Sequence, residues 1–428
     1  MPQIPKFKFK QLCRRSILPL IAMTLALFII GCQNSDNQPI KIGILHSQTG
    51  TMAISEKAVV DATLFAIEEI NAKGGVLGRQ LIPVIADGKS DPEIFSIQAK
   101  RLITADKVAV IFGCWTSASR KMVKPVVEHY KSLLFYPVQY EGLELSPHII
   151  YTGAVPNQQI IPAISWASEH LGKRLYLVGS DYIFPRVANW LIKKQAALQG
   201  IQIVGENYQP LGSKDFSTAM AEITRLQPDV VINTINGDSN ISFFKAFSES
   251  SLSSKTTPIL SFSIGENELI RMNSDNMTGH YAAASYFQSI DSKVNRAFVK
   301  AFKARFGHNR VLSDAMGAAY TGVLLWAQAA ELAGSTKSGS ILFNLKSQSF
   351  SAPEGIISLG LSSQHTWKHS RIGKVTVDGQ FDIVWESEKL IRPNPYPLKI
   401  LRDEAEQLTG VLYGRWGEHW AAPQVEQP

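Results

Sequence analysis

Side chains that could seize a small molecule are concentrated in four short segments of this 428-residue chain. The first, Gly113-Cys114-Trp115-Thr116-Ser117-Ala118-Ser119, offers hydroxyls and, where a helix opens, free backbone N–H groups. The second, Phe135 to Gly142, holds Tyr136, Gln139, Tyr140 and Glu141. The third, Gly179 to Arg186, carries Asp181 and Tyr182, and the fourth, Asn233 to Asn240, is crowded with acceptors that include Asn236 and Asp238. Hydroxyls and N–H groups at Thr116 and Ser117 suit a carbonyl. Side-chain oxygens at Gln139, Asn236, Asp238 or Glu141 suit NH2 groups, and the rings of Trp115, Tyr136 and Tyr182 could sandwich a flat molecule. The implied ligand is uncharged, polar and planar, because each unpaired buried polar group costs about 1–3 kcal/mol. An amino acid would instead demand a charged counter-group at each end. Any one loop alone reads as helix caps and core aromatics. Four of them, each directly after an apolar run, read as a site.

Catalytic sets are missing from the sequence. There is no Gly-x-Ser-x-Gly elbow, no His-Glu-x-x-His and no clustered Cys/His ligand set. The nine histidines are scattered, with His46, His129 and His148 standing singly. Neither a cofactor nor a metal is expected. Gly74-Gly75-Val76-Leu77-Gly78 follows a helical pattern rather than a strand and lacks a P-loop lysine, so it reads as a cap and turn.

The elements that must position the four loops alternate regularly. Strand-type runs fall at 40–45, 81–86, 108–112, 133–137, 175–179, 201–206, 230–234 and 259–262. Helical spacing falls at 55–70, 93–104, 119–130, 160–170, 186–199, 216–226 and 241–250. Strands separated by helices of this length predict an α/β protein with doubly wound parallel sheets. The number of βα units exceeds one ordinary open sheet, so two sheets are expected, with the ligand beyond the strands' carboxyl ends. Leu401, Ala405, Leu408, Leu412 and Trp416 recur at helical spacing and predict a C-terminal helix docked on one lobe.

The first 31 residues read as a targeting segment. Lys6, Lys8, Lys10, Arg14 and Arg15 precede an apolar run from Ile17 to Ile30, and no acid occurs there. Those five cations account for most of the formal charge of +7, so the body is nearly neutral and gives no case for nucleic acid. Ile29-Ile30-Gly31-Cys32 followed by polar residues resembles the lipobox of bacterial lipoproteins, which implies lipidation of Cys32, membrane anchoring and a polar linker over 32–39. A plain signal peptide with an incidental cysteine is the other reading. Arg14-Arg15 weakly resembles a twin-arginine signal. With Cys13 in the leader, Cys114 is the one cysteine left in the folded body and reads as a small buried hydrophobe.

Long motifs carry a resemblance to a known family. Gly113 to Lys121, Leu134 to Gly142, Pro156 to Pro162, Val178 to Tyr182, Asn236 to Asn240, Tyr286 to Asp291, Ala352 to Gly355 and Gln364 to Trp367 are similar to the substrate-binding proteins of urea ABC transporters. The similarity runs from about Ile40 to Pro397. It implies a type I periplasmic-binding fold, two lobes joined by three crossovers, delivery of urea or a small amide to ABC permease subunits, and nitrogen uptake. Lobe 1 would comprise 40–156 and 285–348, and lobe 2 would comprise 157–284 and 349–397, with 398–428 as the helical tail. Carried over by position, the pocket would draw on Trp115, Thr116, Ser117, Tyr136, Gln139, Tyr140, Tyr182, Asn236, Asp238 and Tyr286. One departure is Gly317, where the family pattern after Asp314-Ala315-Met316 leads us to expect an acid. Competing expectations are a binder of short-chain amides or amino acids, an amide-sensing receptor or regulator, and an amidase. The leader argues against a cytoplasmic regulator, and the missing catalytic sets argue against an amidase.

Overall fold

The computed structural model describes residues 2, 3 and 38–424, except 273, 347, 361 and 362. The leader, Cys32 and the linker up to residue 37 lie outside the described residues.

One sheet contains β1 (Ile40–His46), β2 (Leu81–Asp87), β3 (Ile111–Gly113), β4 (Leu134–Tyr136) and β5 (Ile149–Tyr151), in the order β2-β1-β3-β4-β5. Every pairing in it is parallel. Between these strands run α1 (Ala53–Ala72), α2 (Pro92–Thr104) and α3 (Ser117–His129). Asp91 caps α2 by accepting from the Ile94 N–H at 2.9 Å, and Pro92 needs no partner in the first turn.

After α4 (Ile160–His170) the chain builds a second sheet. Its strands are β6 (Arg174–Ser180), β7 (Gln202–Gln209), β8 (Val230–Thr234), β9 (Ile259–Ser261) and β10 (Tyr281–Ala284). Helices α5 (Ile183–Gln199), α6 (Ser217–Leu226), α7 (Ser239–Ser248), α8 (Glu266–Leu269) and α9 (Ser274–Met277) connect them. The chain then returns to the first sheet with α10 (Lys293–Phe306), α11 (Asp314–Ala333) and α12 (Ser338–Leu345). Phe298 and Phe302 of α10 pack on Phe65 of α1, with ring centroids 6.2 and 5.7 Å apart. A small hairpin, β11 (Ser349–Ala352) and β12 (Gly355–Ser358), leads into β13 (Arg371–Val375) and β14 (Phe381–Glu386). These last two add antiparallel strands, giving the order β14-β13-β10-β9-β8-β6-β7. The chain therefore crosses between the sheets three times, the connectivity of a type I periplasmic-binding fold.

The C-terminal helix, α13 (Arg402–Arg415), packs against α5, with Lys194 and Glu404 paired at 2.6 Å. Beyond it the chain touches both lobes. Trp420 O accepts from Ile183 N at 3.0 Å and Ala422 N donates to Asp181 O at 2.9 Å. On the other side, Lys121 Nζ lies 4.7 Å from the Trp420 ring centre and His419 Nδ1 lies 2.9 Å from Glu93 Oε1.

Candidate ligand-binding site

The carboxyl ends of β3 and β4 face those of β6, β8, β9 and β10, and their loops meet. At β3 the chain can turn only because Gly113 has no side chain, since a Cβ there would stand 2.2 Å from Leu45 O. Cys114 follows with a left-handed φ of 67°, buried and free, and burial pushes its thiol far above the usual range. It is therefore an inert packing residue rather than a nucleophile. Thr116 caps α3, its Oγ1 accepting from Ser119 N at 3.1 Å.

Several bonds cross the cleft directly. Trp115 Nε1 donates to Asn236 Oδ1 at 3.3 Å, Ser55 Oγ donates to Glu268 Oε1 at 2.6 Å, and Asn267 Nδ2 donates to Ile54 O at 2.9 Å. Thr51 Oγ1 donates to Asp238 Oδ1, and Asp238 N returns a bond to Thr51 O at 3.1 Å.

Beside these contacts lies a partly open cavity lined by Trp115, Gln139, Gln159, Phe262–Gly265, Glu268, Ala283, Ala284, Tyr286, Phe287 and Ser313–Ala315. Its free volume is about 30 Å³. On the scale where one water needs roughly 10–15 Å³, that is room for a molecule of a few heavy atoms. Gln139 Nε2 donates to Phe262 O at 2.8 Å, and Gln159 Nε2 donates to Phe262 O and Ala283 O at 3.1 and 2.7 Å. Gln139 Nε2 also donates to Ser263 Oγ at 3.1 Å, so both amides have their NH2 groups committed within the protein. Asp314 Oδ1 is out of solvent with no partner. Among the described lining residues there is no Lys, Arg or His.

Three acids crowd this region. Burial pushes the Glu266 carboxyl up to about 8, although it accepts from Gln288 N at 2.6 Å. Burial likewise raises Asp314 to about 6 against the pull of Lys368, and raises Glu268. Glu266 is ordinarily near 4.5, so the raised folded value makes its protonation a stabilising factor. That factor is complete below pH 4.5 and is lost as pH rises through about 8. The empty protein is therefore expected to lose thermal stability between pH 6.5 and 8.5 more steeply than a Glu266→Gln variant, which removes the titration. Parallel melting curves for the two proteins would contradict this.

Of the residues predicted from sequence, Trp115, Gln139 and Tyr286 line the cavity. The Tyr286 hydroxyl points away from it, donating to Asn295 Oδ1 at 2.8 Å. Asn236 and Asp238 join the lobes beside it. Thr116, Ser117, Tyr136, Tyr140 and Tyr182 are placed behind Trp115, in or around a buried network centred on Arg120. The Arg120 guanidinium binds Glu141 at 3.0 Å, Glu144 at 2.9 Å and Ser117 Oγ at 2.9 Å. It also lies 4.9 and 4.3 Å from the ring centres of Tyr136 and Tyr140. Tyr136 donates to Trp115 O at 2.6 Å, so this network fixes the tryptophan. Ser117 and Glu141 bond each other as well as Arg120, which leaves them unavailable to a ligand. Burial opposes charge on Glu144, yet Arg120 and Lys121 hold its carboxyl well below the usual range. The buried Tyr182 ring lies beside Phe184, with centroids 6.2 Å apart. At Gly317 an added Cβ would stand 3.4 Å from Tyr286 Cγ, so the space an acid would enter is bounded by that ring.

Sequence reasoning missed Glu268, Asp314, Gln159 and the segment Phe262–Gly265. The last follows β9 directly, so the strand-end rule that picked the other loops would have found it.

A cavity where the strand ends of two sheets meet is the arrangement of a periplasmic binding protein. Residues 40–401 match the periplasmic binding protein domain, and the chain belongs to that family, which is extracytoplasmic. Among curated relatives, "Limonene hydroxylase" of Geobacillus stearothermophilus is 38% identical over 152 residues, 35% of this chain and 28% of that protein. "Leu/Ile/Val-binding protein homolog 7" of Brucella suis biovar 1 (strain 1330) is 33% identical over 109 residues, 26% of this chain and 27% of that protein. The chain thus aligns with less than a third of either relative's length. Among solved structures, a solute-binding protein of an ABC transporter from Rhodopseudomonas palustris BisB5, in complex with 3,4-dihydroxybenzoic acid, superposes with a TM-score of 0.76 at 23% identity. That match covers 83% of this chain and 99% of the other. Among the described residues no helix is long and apolar enough to cross a membrane.

Proposed function

We propose that this chain is an exported lipoprotein, anchored through Cys32, that captures urea or a closely similar small amide between its lobes and delivers it to an ABC importer. The observation that carries the reading is the cavity: about 30 Å³, aromatic-walled, rich in acceptors and without a cationic side chain among its described lining. The carboxylate of a leucine or a benzoate would be buried here without a counter-charge, which is strongly unfavourable. Urea, planar and of four heavy atoms, suits a space on the order of two or three waters. Its N–H groups face Gln139, Gln159, Glu268 and Asp314, and Ser263 or Ser313 can donate to its carbonyl. Trp115, Gln139 and Tyr286 act at the ligand, Asn236 and Asp238 act through closure, and Thr116, Ser117, Tyr136, Tyr140 and Tyr182 act by holding the Trp115 loop. The lobes divide at the crossovers, but the expected boundary at 349 is corrected: the hairpin packs Ala352, Ile357 and Leu359 into the core around β1 and His365 bridges to Tyr151, so 349–366 goes with 40–156 and 285–348, and 367–397 goes with 157–284.

Relatives named as Leu/Ile/Val-binding proteins keep an amino-acid binder as the second reading. Calorimetry on the leaderless protein with urea, acetamide, formamide, leucine and 4-hydroxybenzoate separates the two. Urea is expected to bind at least tenfold more tightly than leucine. Tighter binding of leucine than of urea would sink the assignment.

A further inference from the structure

We infer that the cavity takes guanidinium, and flat cations built only of N–H donors generally, more tightly than it takes urea. This rests on the inter-lobe cavity being the ligand site, as proposed above, and refines which class of molecule the site selects.

The lining is unbalanced in one direction. Glu268 and Asp314 contribute carboxyl groups; Glu268 already accepts from Ser55 Oγ at 2.6 Å and Gly265 N at 3.0 Å, whereas Asp314 Oδ1 has no partner. Just behind them Glu266 is fully buried with its Oε2 unpartnered. Gln139 and Gln159 have turned their NH2 groups onto main-chain carbonyls and, for Gln139, onto Ser263 Oγ, which leaves their oxygens for a ligand. The Trp115 N–H is already on Asn236, and only the two serine hydroxyls, Ser263 and Ser313, remain as side-chain donors. None of the ion pairs among the described residues involves Glu266, Glu268 or Asp314. The one cation that acts on Asp314, Lys368, is itself bound to Glu354 at 2.6 Å.

Such a wall rewards donors and positive charge and has little to offer an acceptor. Urea brings a carbonyl that must find one of the serines. Guanidinium has the same flat outline, replaces that carbonyl with a further donor group and carries a full positive charge. Its planar fork matches a carboxylate through paired N–H bonds. The faces of Trp115, Phe262 and Tyr286 add attraction for a cation that they would not supply to a neutral molecule. Each group of the ligand then meets a complementary partner, with none left unpaired.

The test is calorimetry of the leaderless protein with guanidinium chloride in the millimolar range and below, far under denaturing concentrations. Urea is titrated in parallel, and sodium chloride serves as the ionic-strength control. Guanidinium is expected to bind at least tenfold more tightly than urea. Asp314→Asn and, separately, Glu268→Gln should each lower the guanidinium-to-urea affinity ratio at least tenfold, with thermal melts confirming that both variants fold. Urea binding with weaker or no guanidinium binding would overturn the inference while leaving the proposed function standing. An affinity ratio unchanged in both variants would also overturn it. Guanidinium binding without urea binding would uphold the inference and remove urea as the ligand, and binding of neither would remove both.

Discussion

Replacing Arg120 with methionine is expected to destabilise the protein by about 3–5 kcal/mol, the usual result of removing one partner from a buried ion pair. Arg120 has no exposed side-chain surface, and its loss would leave Glu141 and Glu144 buried with only Lys121 and the more distant Lys124 acting on Glu144. It would also remove the guanidinium from the Tyr136 and Tyr140 rings and loosen the Tyr136 bond that holds Trp115. Denaturant unfolding measures this as a lower midpoint at unchanged slope. Combining Arg120→Met with Glu141→Gln and Glu144→Gln should recover part of the loss, because the uncompensated charges are then gone. A single-variant loss below about 1 kcal/mol would place the network among weak surface-type pairs instead.

The second large effect is expected at Gly237, in the loop after β8. Its φ is +69°, and a Cβ there would stand 2.2 Å from Met52 Cε and 2.8 Å from Thr51 O, both on the opposite lobe. A valine is strained at this left-handed φ in either state, whereas its collision with these atoms arises only when the lobes meet and falls on closure. Overpacking of about 1–3 kcal/mol, with the Asp238 N–H to Thr51 O bond lost, comes to about 3 kcal/mol, or roughly a hundredfold in affinity. Gly237→Val is therefore expected to weaken urea binding about a hundredfold, and to destabilise the empty protein by about 1–2 kcal/mol through the left-handed backbone alone. Affinity within threefold of the natural chain would show that closure does not depend on this contact.

Much of the architecture was legible because apolar runs and glycine breaks recur with a regular spacing. The strands near residues 40, 81, 134, 175, 230 and 259 are bulky and bounded, and each lies where the runs predicted. β10 was not legible, since its four residues, Tyr-Ala-Ala-Ala, lack the β-branched side chains that mark a strand. α11 was hidden for the opposite reason. Ala315, Met316, Ala318, Val323, Leu325 and Trp326 are buried on nearly every side of it, so no amphipathic stripe exists to be read. At the site, the loops after β3 and β4 were recognised, yet the acids on the two sides of the cleft were not. Glu268 and Asp314 stand in first helical turns, where carboxylates ordinarily serve the helix dipole. Their meaning emerges only when the two sheets face each other. Arg120, too, gave no sign that Glu141 and Glu144 would enclose it.

A crystal structure of the leaderless protein grown with urea tests the central claim most directly. The expected result is planar density between the lobes, against Trp115 and within hydrogen-bond distance of Gln139 and Asp314, with Trp115 and Asn236 in contact across the cleft. Closed lobes with an empty cavity, or urea bound only on the outer surface, would contradict it.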